Sequence, residues 1–95
     1  MHDAEVSRIR LDKWLWHARF FKTRALSAKL VSSGKVRVNS RRVSKPATFV
    51  GQNDVLTFPQ AGSVRVVRIT ALGERRGPAS EAQQLYMILH DDTGE

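Results

Sequence analysis

The chain has 95 residues, no cysteine and a formal net charge of +7. That length holds one small domain with no room for a separate catalytic one. The lack of cysteine removes disulfide staples, thiol nucleophiles and thiolate metal sites, which makes a cytoplasmic setting the simplest expectation. No apolar run follows a basic start, and none is long enough to cross a bilayer, so neither a secretion signal nor a membrane span is expected.

Residues 1–9 are mixed and polar and read as a mobile arm. Leu11, Trp14, Leu15 and Ala18 then recur at i, i+3, i+4 and i+7, the spacing of one helical face, and predict a first helix from Arg10. Asp12, Lys13, Trp16, His17 and Arg19 point away from that face. Asp12 complements the positive helix end and reads as a local stabiliser, and His17 reads as a neutral surface residue. Phe20–Lys22 links to a second helix, Arg24 to Ser33, with Thr23 as N-cap and Gly34 supplying the left-handed turn that ends it. Ser27, Leu30 and Val31, flanked by Leu26, make its buried side.

Beyond Gly34 the period changes to two. Val36 and Val38 alternate with Lys35, Arg37 and Asn39, the pattern of a half-buried strand. Asn39-Ser40 turns the chain, and Ser40 leaves the turn type open because tight hairpins favour glycine there. Arg41, Arg42, Val43 and Lys45 return until Pro46 ends any ladder. A turn at Gly51–Asp54 leads to a strand at Val55–Phe58, a turn at Pro59–Gly62 to a strand at Val64–Thr70. Gly73–Pro78 is a loop holding Arg75-Arg76. Ser80 caps a helical turn through Gln84, Leu85–Leu89 reads as a final buried strand with Tyr86 in the core, and His90–Glu95 is an acidic tail. The result is an α+β domain, two N-terminal helices followed by a small, mostly antiparallel sheet of four to five strands. Its parts are the arm at 1–9, a core at 10–58, further strands of the same domain at 59–89 and the tail at 90–95.

The charge is polarised. Between Arg10 and Lys45 there are eleven basic residues and one acid, Asp12, and residues 1–48 carry net +9 against −2 for 49–95. Such clustering suits a polyanion, since each neutralised phosphate releases condensed counterions and the field steers encounter. A solvated basic face is the plainer alternative. Ordered helix and hairpin patterns, with aromatics interleaved, favour nucleic acid.

Arg10-Leu11-Asp12-Lys13-Trp14-Leu15, Lys22-Thr23-Arg24, Gly34-Lys35-Val36-Arg37-Val38-Asn39 and Lys45-Pro46 together resemble the RNA-binding domain of ribosomal protein S-four, whose helix-helix-hairpin core is the αL motif. Three further runs, Leu11–Trp16, Ala18–Leu26 and Arg75-Arg76 with Pro78–Ala82, look like the ribosome-associated heat-shock protein fifteen group. The resemblance covers about residues 8–89. It implies binding to ribosomal RNA and transfer RNA on large subunits that carry stalled nascent chains, in rescue or recycling. Carried over residue by residue, it places RNA contacts at Arg10, Lys13, Lys22, Thr23, Arg24, Lys29, Arg37 and Asn39, with Arg41, Arg42 and Lys45 at the edge. Ser40 departs from the family glycine. The chain also stops soon after Leu89, where relatives continue into a basic extension; if that extension supplies ribosome affinity, this chain is a shortened or weaker-binding version.

Phosphate contacts from such a wall position a protein without reading sequence, so specificity would come from RNA shape. Trp16, Arg75 and Arg76 form a second group. Trp16 lies off the apolar stripe, where burial is favoured over stacking on an unpaired base; Arg75-Arg76 is either an RNA contact or a clamp on Glu74, Glu81 or the tail. No nucleophile grouping or phosphate-loop spacing appears, and His90-Asp91-Asp92 is a poor metal set. The expectation is a non-enzyme without cofactor or metal, a monomer bound to RNA, with DNA as a second candidate, and not to membrane. The alternatives are a module cut from or working with an RNA-modifying enzyme, and a general nucleic-acid binder. Met1 and the acidic close favour a complete small protein over a cut-out module.

Overall fold

The computed structural model describes residues 7–91. In chain order the elements are β1 (Arg8–Arg10), α1 (Leu11–His17), α2 (Arg24–Ser32), β2 (Val36–Val38), β3 (Arg41–Val43), β4 (Phe49–Gly51), β5 (Val55–Gln60), β6 (Ser63–Ile69), α3 (Ala79–Ala82) and β7 (Tyr86–Asp91). Five strands form an antiparallel sheet in the order β3-β2-β5-β6-β7, and β1 pairs with β4 in a separate ladder. This is the α+β architecture that the sequence predicts.

The helical stripe packs against the inner face of the sheet. Leu11, Trp14, Leu15 and Ala18 are all buried, and they meet Val31 from α2 and Val36, Leu56, Phe58, Val67 and Ile69 from the strands. Each fully buried large side chain of this kind contributes about 1.5–3 kcal/mol. Trp14 keeps its one polar atom satisfied, donating its indole N–H to the Ala71 carbonyl at 2.9 Å. Along β2 and β5 the alternation sends Val36, Leu56 and Phe58 inward and Arg37, Thr57 and Pro59 to the outer face, the period-two consequence of the pleat.

Several boundaries differ from the sequence reading. Arg8–Arg10 is not part of a mobile arm: it pairs with Phe49–Gly51, a strand that three residues of weak alternation do not announce. Residues 1–6 lie outside the described residues. Helix α1 closes at His17, and Arg19 adopts φ 65°, a left-handed exit that brings the Phe20 N–H to the Leu15 carbonyl. Strand β5 runs through Pro59 and Gln60, because by Pro59 it has passed the end of its pairing with β2, so the missing N–H on that edge costs nothing. The turn behind it is Ala61-Gly62, both at positive φ. Pro78, not Ser80, precedes α3, whose end tightens into a 3-10 turn at Gln83–Leu85. Strand β7 is an exposed edge rather than a buried strand: Met87, Ile88 and Leu89 are 51, 43 and 42% exposed. It reaches Asp91, so the acidic tail from His90 begins inside the strand, and residues 92–95 lie outside the described residues.

Candidate nucleic-acid interface

The N-terminal half holds its cations on α1, α2 and the β2–β3 hairpin. Arg10, Lys22, Thr23, Lys29, Arg37, Asn39, Arg41, Arg42 and Lys45 are exposed, and Lys13 and Arg24 half-buried. Their scaffold is fixed by a residue that the sequence reading treats as a local stabiliser. Asp12 is buried, accepts both Nε and Nη2 of Arg10 at 3.1 Å, and has the Arg24 Nε at 3.6 Å. One carboxylate thus ties the starts of both helices and aims two guanidinium groups. The only acid among eleven cations was a signal of this role.

Backbone hydrogen bonds secure the same corner. The first N–H groups of α1 are taken by the Thr48 and Pro46 carbonyls, at 2.8 and 3.2 Å from Leu11 and Asp12. Ser27, buried on α2, has its hydroxyl 2.7 Å from the Asp12 carbonyl. Thr23 caps α2 as expected, its Oγ1 accepting the Leu26 N–H at 3.1 Å. Gly34 closes that helix at φ 78°. Leu26, expected beside the buried side of α2, is instead 48% exposed.

At the hairpin tip Asn39 and Ser40 have φ 52 and 72°, so both central residues of the turn are left-handed. Asn39 stabilises this turn through its own side chain and backbone. Its Nδ2 donates to Asp54 at 3.0 Å, its Oδ1 accepts the Val55 N–H at 2.9 Å, and its own N–H reaches the Val55 carbonyl. Its amide therefore anchors the turn to β5. On the outer face Arg37 and Arg42 are directly opposed cross-strand partners. Like charges placed so are destabilising, and a bound polyanion would relieve that repulsion.

The second group is mostly a brace. Arg75 pairs with Glu81 at 3.0 Å, the clamp alternative, with both side chains at least half exposed. Arg76 sets its guanidinium 5.8 Å from the Trp16 ring centre and donates to the Phe21 carbonyl at 3.4 Å. Trp16 is half-buried beneath it. Arg19 adds a bond to the Gly77 carbonyl at 2.6 Å, a role the sequence did not suggest. His17 is also corrected: it is buried, not a surface residue, with Nδ1 3.3 Å from the Leu72 carbonyl. Burial lowers its pKa below the usual 6.5, Lys13 and Arg24 lower it further, and the Leu72 contact opposes them.

Against known proteins, the S4 domain matches residues 9–56. Heat shock protein 15 of Escherichia coli is 48% identical over 86 residues, covering 90% of this chain and 64% of that protein. The chain thus spans just under two thirds of that relative's length. The trimeric heat shock protein 15 of Vibrio cholerae superposes with a TM-score of 0.81 at 41% identity, over 86% of this chain and 82% of that one. The RQC P-site tRNA stabilizing factor of Listeria innocua is 29% identical over 87 residues, 92% of each chain.

Proposed function

We propose, for a chain that belongs to the S4 domain family and to its heat shock protein 15 branch, that it binds RNA on large ribosomal subunits still holding a nascent chain on transfer RNA, and so serves rescue or recycling of stalled translation. It acts in the cytoplasm as a binding protein and not as an enzyme. The observation that carries this reading is the opposed Arg37–Arg42 pair on an exposed hairpin, a charge arrangement that costs stability unless phosphate answers it. The basic helix faces add sequence-independent positioning contacts. The Listeria relative, named for stabilising P-site tRNA, supports the finer assignment to subunits loaded with transfer RNA. The chain is taken to act as a monomer; the Vibrio relative is described as a trimer, and sedimentation equilibrium decides between the two states for this chain.

The decisive experiment is co-sedimentation with purified large subunits, with and without peptidyl-transfer RNA, across a salt series. Preference for the loaded subunit with a steep salt slope is expected. Equal binding to loaded and empty subunits overturns the rescue assignment and leaves a general RNA binder. Effective competition by duplex DNA of equal length would favour a nucleic-acid binder indifferent to the 2′-hydroxyl.

A further inference from the structure

We infer that the two open, largely apolar depressions that meet at Lys35 each admit a base and that the protein captures an unpaired RNA segment there, in addition to the phosphate backbone of a helix. The inference rests on the RNA-binding reading and names the form of RNA that this surface takes.

The first depression lies on α2. Phe21, Leu26, Leu30 and Ser33 line it together with Lys29 and Lys35, and it is an open hollow of about 360 Å³. The Phe21 ring is held from behind by Phe58, 6.2 Å away between centroids. The second depression, an open hollow of about 330 Å³ on the sheet, is lined by Thr57, Phe58, Pro59 and Val64 together with the cations Lys35, Arg37 and Arg42. Lys35 lines both, and among the described residues no acid lines either.

This alternation of apolar hollow, cation and apolar hollow matches a single strand, in which base, phosphate and base follow one another. Base faces are apolar and stack without sequence demand, while cations track the backbone. A-form duplex cannot use the hollows, because its bases are stacked within the helix and its deep groove is closed to side chains. Leu26 and Val64, 48 and 43% exposed, are apolar residues left in water beside the cations Lys29, Lys35, Arg37 and Arg42. An acidic peptide with apolar residues on both sides of a carboxylate offers the same alternation, and the peptide arm of the test separates it from RNA.

The test uses two RNA hairpins of equal length and charge closed by the same compact tetraloop, one with a fully paired stem and one with a central two-nucleotide bulge carrying 2-aminopurine. The bulged hairpin is expected to bind roughly fivefold to tenfold more tightly, with fluorescence reporting the altered stacking of the probe. Leu26→Ser and Val64→Ser, both at exposed positions, should each shrink that preference to about twofold or less without weakening the paired hairpin. Lys35→Ala should lower the salt slope by about 0.7. Equal binding of both hairpins, or a preference that survives both serine variants, overturns the inference. Saturable binding of a fluorescent acidic helical peptide that Leu26→Ser abolishes, with no bulge preference, overturns it in favour of a protein partner. In either of those cases the paired hairpin still binds with a steep salt slope; loss of that binding as well removes the RNA-binding reading itself.

Discussion

The two halves of the molecule use arginine in opposite ways. In the N-terminal helices and hairpin, Arg37 and Arg42 face each other across a ladder, and Arg10 and Arg24 converge on one carboxylate, leaving a surplus of positive charge at the surface. In the C-terminal part, Arg75 pairs with Glu81 and Arg76 leans on Trp16 and the Phe21 carbonyl, so that charge ties a loop to α1. Arginine count alone does not separate interface from brace. Partners do: Arg75 and Arg76 commit their guanidinium groups to Glu81, Trp16 and the Phe21 carbonyl, whereas Arg37, with one 3.4 Å bond to the Ser40 carbonyl, stands across the ladder from a second cation, Arg42.

The two halves depend on each other most where they meet. Trp14 is fully buried and bonds to Ala71, joining α1 to the segment after β6. Trp14→Ala should cost about 3–5 kcal/mol, a large share of the roughly 5–15 kcal/mol available to a domain, and urea denaturation should show the loss in both halves together. Asp12→Asn comes next. Removing the charge that two guanidinium groups share should cost about 1–2 kcal/mol, less than the loss from a fully buried pair because Arg10 and Arg24 are 44 and 40% exposed. RNA binding at low salt should stay within about threefold, since the wall gains net positive charge. A larger loss of binding would make Asp12 essential to aiming the two arginines.

The elements that carry strong local signals were legible in the sequence, and those that depend on distant partners were not. Leu11, Trp14, Leu15 and Ala18 declared their face by spacing, and Thr23 and Gly34 bracket α2 by capping chemistry. The β1–β4 ladder has no such signal, because three residues on each side gain meaning only when the chain brings them together. His17 and Asp12 were placed outside the core by the helical wheel. In the fold the loop at Leu72 covers one and the two arginines cover the other, and neither partner is visible from α1 alone. On the candidate interface, the cations were identified from composition, whereas the anchoring of Asn39 by Asp54 and Val55 needed the β5 register. Lys35 was counted among the cations but not singled out, since its place between two hollows arises from packing of α2 against the sheet.

His17 gives a smaller effect that sharpens the same boundary. Burial, with Lys13 and Arg24 adding to it, holds the imidazole pKa below 6.5 in the fold. On acidification the unfolded chain takes up the proton first, so stability is complete above about pH 6.5 and falls below it. His17→Gln should flatten the pH dependence of the urea midpoint between about pH 7 and 5. An unchanged slope would assign the acid sensitivity to other groups.

The smallest effect is the most direct contrast between the halves. Arg75→Ala removes one partner of an exposed pair with Glu81, and should alter stability by no more than about 0.5 kcal/mol. If Arg75 is only a brace, the salt slope of RNA binding should not move either. Arg42→Ala removes the same charge from the hairpin and should lower that slope by about 0.7–0.9 while relieving the repulsion with Arg37. Equal slopes for the two variants would mean that RNA sees the net charge of the whole domain. A drop with Arg42→Ala alone would locate the contact on the hairpin, because the two substitutions change the net charge identically and differ only in where the charge stands.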